Sequence, residues 1–319
     1  MVIFRPEQFR RPPLRRHRLL IGAACLVLVA AGVFLFRSPV LLVGDAGFDL
    51  IYGFQRTLGA RIGLSLRLFR RVERVLIAEN ADPEAMVFAI EEQVKRPWAV
   101  LGPSRYERGL RQYARQREDV RVIIAGEDPE LAGEPARSGA APVAGEPELV
   151  FSDVRLNSWR LGRCAALLAG DTGGLVLVFQ DRPNFPVHRE AFLAGLRAEH
   201  ENLSPLYLNP SVDYSAWEQV GCVVLAGPSE SYLNRDQGIP ALLYSWLDPA
   251  LSPSAVKVIG DDSPWALAYR ALSVPAGVNP ASYRTLPAAF SIPWGRVGDS
   301  RLRGKLKEAL SSQIPQLSP

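Results

Sequence analysis

The chain has 319 residues, with 37 basic and 33 acidic side chains and a formal net charge of +4. Residues 1–18 hold six arginines against one glutamate, which leaves 31 basic and 32 acidic residues in the remainder. The basic excess therefore belongs to the leading segment, and the near-neutral remainder offers no argument for a nucleic-acid partner.

The first predicted element is a membrane span. Leu19–Phe36 reads LLIGAACLVLVAAGVFLF, without a charge or a proline. At about 1.5 Å per residue it reaches roughly 27 Å, enough for a hydrocarbon core with flanking anchors, and only a helix satisfies the backbone there. Arg5, Arg10, Arg11, Arg15, Arg16 and Arg18 precede it and a single Arg37 follows. The asymmetry predicts a cytoplasmic N-terminus and an extracytoplasmic, periplasm-facing remainder on the cell's inner membrane. Two alternatives stay open. One is a cleaved signal peptide, against which stands the absence of an A-x-A-like site before Arg37-Ser38-Pro39. The other is lipidation at Cys25, which follows Gly22-Ala23-Ala24 but lies inside the apolar run instead of at its end.

Beyond the span, residues 39–319 suffice for two lobes with separate cores. Short apolar runs alternate with amphipathic stretches. Strands are expected at Val40–Gly44, Arg74–Ala78, Trp98–Leu101 and Val120–Ala125, with helices at Asp49–Leu66, Pro83–Lys95 and Tyr106–Gln116 between them. The Pro-, Gly- and Glu-rich stretch 129–148 reads as a linker or exposed loop. The alternation then resumes. Strands are expected at Leu149–Val154, Gly174–Phe179, Ser204–Leu208, Cys222–Ala226, Ala241–Trp246, Val256–Ile259 and Ala288–Ile292. Helices are expected at Trp159–Ala169, Val187–Glu199, Tyr214–Gln219, Ser231–Gln237, Pro264–Leu272 and Ser300–Ser311. The fold class this predicts is α/β, with two doubly wound parallel-sheet lobes after an N-terminal transmembrane helix.

Ligands of open parallel sheets sit at the carboxyl ends of the strands. The turns there are Gly44–Phe48, Glu79-Asn80, Gly102–Ser104, Gly126–Asp128, Gln180–Arg182, Gly227–Glu230 and Trp246–Asp248. Their Gly, Asp and Ser residues also read as ordinary helix caps. Enzyme signals are absent: there is no HExxH, CxxC or GxSxG, and GDTGG at 170–174 lacks a Walker ending. His188 and His200 lie twelve apart, which is no metal spacing, and no cofactor is implied. Asp261-Asp262 reads as a helix cap before Pro264. Cys164 and Cys222 sit in apolar runs and read as buried thiols, with a bridge left open.

Four stretches carry a resemblance: VLLVGDAGFDLIYGFQRTL, DVRVIIAGED, NSWRLGRCAALLAG and GGLVLVFQDRPNFPVHREAFLAGLRAEH. They resemble type I periplasmic solute-binding proteins, most closely the basic membrane protein family of nucleoside-binding receptors. Phe192 and Gly195 match a phenylalanine and a glycine of that family's Gly-Phe-x-x-Gly helix. The chain departs from the pattern at Phe48-Asp49 or the later Phe54-Gln55, where the family has Phe-Asn, and at Gly260-Asp261-Asp262, where it has Thr-Ser and a later lysine. The resemblance implies a periplasmic-binding-protein-like fold with lobe 1 over 39–128 and about 253–286, and lobe 2 over 149–252 and about 287–319. It also implies a cleft that closes on a small polar ligand, a nucleoside or sugar, for an importer permease of an ABC transporter or a sensor. The ligand-binding residues expected are Asp45 and Phe48 from lobe 1, and Asp181, Trp246 and Asp248 from lobe 2. In the alternative, the fold has lost its ligand and serves as an envelope scaffold or protein-interaction module.

Overall fold

The computed structural model describes residues 14–48, 54–126, 145–170, 175–179, 185–208, 219–225, 239–244, 255–272 and 283–314. The short helices expected at 214–218 and 231–237, and most of the expected linker at 129–148, lie outside them.

Helix α1 runs from Leu14 to Phe36 and contains the whole of the apolar run. Of its apolar side chains, Ile21, Leu26, Val27, Leu28, Val29 and Phe36 are 64–92% exposed. Among the described residues, no helix is long and apolar enough to cross a membrane.

The first sheet contains six parallel strands. In chain order these are β1 (Val40–Gly44), β2 (Val72–Leu76), β3 (Ala99–Pro103), β4 (Arg121–Gly126), β5 (Glu148–Ser152) and, much later, β11 (Tyr283–Leu286). They lie side by side as β2-β1-β3-β4-β5-β11. Strand β1 explains why the sequence reads as a continuous apolar run. Val40 and Leu42 face one core with Leu64 of α2 (Phe54–Leu68) and Trp265 and Leu267 of α7 (Pro264–Leu272). Leu41 and Val43 face a second core with Met86 and Ile90 of α3 (Pro83–Gln93) and Leu110 and Tyr113 of α4 (Glu107–Gln116). A strand buried on both faces has no use for alternation.

The second sheet repeats the plan. Strands β6 (Leu175–Phe179), β7 (Ser204–Leu208), β8 (Val220–Leu225), β9 (Ala241–Tyr244) and β10 (Val256–Asp261) pair in parallel, in the order β7-β6-β8-β9-β10. An antiparallel β12 (Ala289–Ser291) closes the edge beside β10. One core joins this sheet to α5 (Val154–Ala169), α6 (Phe185–Glu199) and α8 (Ser300–Ser311). Helices α5 and α6 approach each other through glycine. A Cβ on Gly162 would overlap the Phe192 carbonyl, and one on Gly195 would overlap the Trp159 carbonyl. This close approach accounts for Gly195 lying three residues after Phe192.

The chain crosses between the lobes three times, after β5, after β10 and between β11 and β12. Two expected boundaries are corrected by this. Strand β5 belongs to the first lobe, not to the second from 149, and β10 belongs to the second lobe, not to the first from 253. Both strands pair along their length before the chain leaves, so the crossings fall in the turns at their carboxyl ends. Strand β11 was not foreseen; its four residues, Tyr-Arg-Thr-Leu, show no apolar pattern. The remaining elements lie within a few residues of their expected positions.

Candidate functional site

Strand β5 hands the chain from its carboxyl end to a helix of the other lobe, and β10 does the same in return. The carboxyl ends of both sheets therefore face the region between the lobes, which is where an open parallel sheet presents its turns to a ligand.

On the first lobe the turn after β1 is built around Asp45, which is 2% exposed. Its Oδ1 accepts the Phe48 backbone N–H at 2.6 Å, closing the turn. The same carboxylate accepts from the Tyr106 hydroxyl and pairs with the guanidinium of Arg105. Burial alone would raise the Asp45 pKa. The bonds from Tyr106 and the Phe48 N–H, with the charge of Arg105, outweigh burial and hold it below the ordinary value. Burial, then the bond to Asp45, pushes the Tyr106 phenol well up. Arg105 also lies 5.3 Å over the Phe48 ring and 4.9 Å over the Tyr106 ring. Phe48 itself is 2% exposed and meets Trp265 edge-on at 5.1 Å.

These contacts change the roles expected of Asp45 and Phe48. Both oxygens of Asp45 are engaged by the protein, and the Phe48 ring is core, so neither side chain presents itself to a ligand here. Arg105 of the same cluster keeps its side chain 39% exposed. It directly follows the Gly102-Pro103-Ser104 turn but has no motif of its own; the signal that would have found it is its place at the carboxyl end of β3. Glu79 is exposed on the neighbouring turn, close to Gly47, and Asn80 completes that turn at φ 65°, a conformation asparagine tolerates. Gly126 ends β4 where a Cβ would come within 2.7 Å of the Ser104 hydroxyl. Asp181, Trp246 and Asp248, the second lobe's candidates, lie outside the described residues.

The three crossings are tied together by buried polar side chains. Asn157, 0% exposed, donates to Ser152 Oγ at 2.9 Å and accepts the Ala288 N–H at 2.7 Å. Ser152 Oγ donates to Asp262 at 3.4 Å, and the Asp153 N–H reaches the Leu286 carbonyl at 2.8 Å. Arg270 binds the Pro287 carbonyl from α7. The aspartate pair expected to cap α7 divides its work. Asp261 accepts from Ser263, Ser263 Oγ takes the Ala266 N–H, and Asp262 serves the crossing.

Other polar groups are structural in their surroundings. Ser158 and His188 are bonded at 2.6 Å between α5 and α6, and at 2% and 3% exposure no substrate reaches them. Glu148 is held by Arg121 and Arg284 at the opposite, amino-terminal edge of the first sheet. Among the described residues no His, Cys, Asp and Glu cluster suits a metal ion. Cys164 and Cys222 are free and buried. A pocket of about 310 Å³ lies on the second lobe between β12 and α8.

No family model matches the chain, and no curated protein matches it in sequence. Solved structures do match in fold. An ABC transporter solute-binding protein from Conexibacter woesei superposes with a TM-score of 0.59 at 14% identity, covering 86% of this chain and 94% of that one. A transcriptional activator of the comK gene from Bacillus halodurans gives 0.58 at 15% identity, covering 86% and 96%. The arabinose-binding protein AraP from Geobacillus stearothermophilus gives 0.53 at 12%, covering 80% and 96%. The chain thus has the two-lobed, periplasmic-binding-protein-like α/β fold of type I. The solute-binding proteins that share it are not enzymes.

Proposed function

We propose that this protein is a membrane-anchored, extracytoplasmic solute-binding protein that takes a small polar ligand between its lobes and presents it to an importer permease or a sensor. The observation that carries the reading is the triple crossing. Two sheets with the same order of five parallel strands face each other at their carboxyl ends, and the connections are pinned by Ser152, Asn157 and Asp262. Such a joint lets two lobes close on a ligand that touches both. Arg105 is the first lobe's contact to polar groups of the ligand, with Asp45 fixing its guanidinium. On the second lobe Asp181 and Asp248 take hydroxyls and Trp246 stacks a flat ring. A sugar or the ribose of a nucleoside suits these groups, and AraP is an arabinose-binding protein of similar fold.

The anchor is the helix Leu19–Phe36, with residues 1–18 in the cytoplasm and the lobes outside. Its support is the exposed apolar surface of α1 and the arginine asymmetry around it. A thermal-shift scan of the full chain in detergent against nucleosides and pentoses tests the binding role. A ligand at 100 times its dissociation constant adds about 2.7 kcal/mol. Asp248→Ala and Arg105→Ala should each weaken it, and unchanged affinity in both would remove the proposed site.

One observation favours a second reading, a ligand-free scaffold of the same fold. The first lobe's turn already satisfies Asp45 and buries Phe48 without a ligand. No stabilisation by any nucleoside or sugar, and no small molecule released from the natively purified protein, would support that alternative.

A further inference from the structure

We propose that the amino-terminal rim of the first lobe, where β1, β2 and β3 begin, docks on anionic phospholipid headgroups beside the end of α1. This rests on the membrane-anchor reading above. Only Arg37, Ser38 and Pro39 separate Phe36, the last residue of α1, from buried β1. Fully extended, that link spans about 10 Å. A headgroup layer is itself several ångströms deep, and charges act over about 8 Å at physiological salt. The rim therefore lies within electrostatic reach of the lipid surface, while the strand ends bearing Asp45 and Arg105 point the other way.

The rim has the chemistry such a surface takes. Phe34 of α1 meets Phe69 at 5.6 Å, and Arg37 lies 6.0 Å over the same ring. Phe69 directly follows α2 at φ 50°, a left-handed conformation that a bulky side chain seldom adopts. Its ring nevertheless stays 39% exposed, and on the same helix Leu66 is 76% exposed. Arg70 donates to the Ser38 carbonyl at 2.9 Å and lies 4.7 Å over Trp98. Burial, then the charge of Arg37, lowers the Arg70 pKa. Lys95 and Arg96 extend the rim and are exposed. Of the nearby acids, Glu73 is paired with Arg71 at 3.0 Å and Asp119 with Arg117 at 3.2 Å, while Glu91, Glu92 and Glu118 are exposed beside the cations. Exposed apolar and aromatic groups fringed by cations are what a headgroup boundary accepts, and polybasic segments next to a span are drawn to anionic lipid.

The test uses the full chain with Cys25→Ser and a nitroxide on Leu66→Cys, both at exposed positions. A second label on Glu190→Cys, on the exposed surface of α6, supplies an aqueous reference. In proteoliposomes of phosphatidylcholine with phosphatidylglycerol, the Leu66 label should gain oxygen access and lose access to a water-soluble nickel complex, whereas the Glu190 label should not. Pure phosphatidylcholine, or the pair Lys95→Glu and Arg96→Glu, should abolish the difference. Retention of the protein in the membrane pellet after alkaline carbonate reports the anchor separately. A retained protein whose Leu66 label stays aqueous, or is equally shielded in pure phosphatidylcholine, overturns the docking surface alone. A protein released by carbonate overturns the anchor beneath it.

Discussion

Arg105, in the turn after β3, pairs with Asp45, in the turn after the neighbouring β1, joining an exposed guanidinium to a carboxylate that is almost wholly buried. Removing the cation leaves Asp45 its bonds from Tyr106 and the Phe48 N–H. Arg105→Ala should therefore cost about 1–2 kcal/mol, between the values for exposed pairs and for buried charge-assisted bonds. Urea unfolding of the full chain in detergent measures it.

The same carboxylate gives an acid dependence. Its folded pKa is lowered from 3.8, so its contribution is present above that value and is lost as pH falls through the lower folded one. The wild-type urea midpoint should fall below about pH 4. In Asp45→Asn that part of the decline should be absent, on top of a lower midpoint at neutral pH.

Asn157 closes the joint between the lobes with a donor and an acceptor used at once. Asn157→Leu strands the Ala288 N–H and the Ser152 hydroxyl in a dry site, at about 1–3 kcal/mol for each unmet group. A loss below about 1 kcal/mol by chemical denaturation would mean that water replaces the amide.

Gly195 faces the Trp159 backbone with no room for a methyl group. Gly195→Ala should separate α5 from α6 and destabilise the second lobe by about 1–3 kcal/mol, the range for overpacking, despite alanine's better helix propensity. Gly304→Ala on α8, where a Cβ meets nothing within 4 Å, should be neutral or stabilising and serves as the control.

Cys164 and Cys222 lie in the core of the second lobe, fully buried, and burial pushes the Cys164 thiol up to about 12. Burial likewise raises the Cys222 thiol well above its ordinary value. Neither should react with iodoacetamide at pH 8 until the protein unfolds, since the thiolate is the nucleophile. Modification of either in the folded protein would show that the core of the second lobe opens.

The alternation of strands and helices was legible because parallel strands covered on both faces must be apolar throughout, as Val40–Val43 are, while their covering helices keep a polar side. Strand β11 escaped notice because Tyr283–Leu286 is an edge strand with one neighbour, β5, and an arginine engaged by Glu148. The boundaries near 149 and 253 were misplaced for a related reason. A crossing is defined by which sheet a strand joins, and local pattern says only that β5 and β10 are strands.

The candidate site was legible as a set of turns but not as a set of roles. Gly44–Phe48 could be located after β1 from sequence, because small and acidic residues between a strand and a helix mark such a turn. Whether Asp45 and Phe48 faced a ligand or the interior depended on Arg105 and Tyr106, 60 and 61 residues away, and on Trp265, still further along the chain. By itself the sequence determined the long apolar run at 19–36, the charge asymmetry around it and the α/β rhythm, because each rests on neighbours along the chain. Tertiary structure alone decided that Arg105 holds Asp45, that Asn157 and Asp262 hold the crossings and that Phe69 meets the end of α1. Those facts are contacts between distant segments, and local residue pattern carries no record of them.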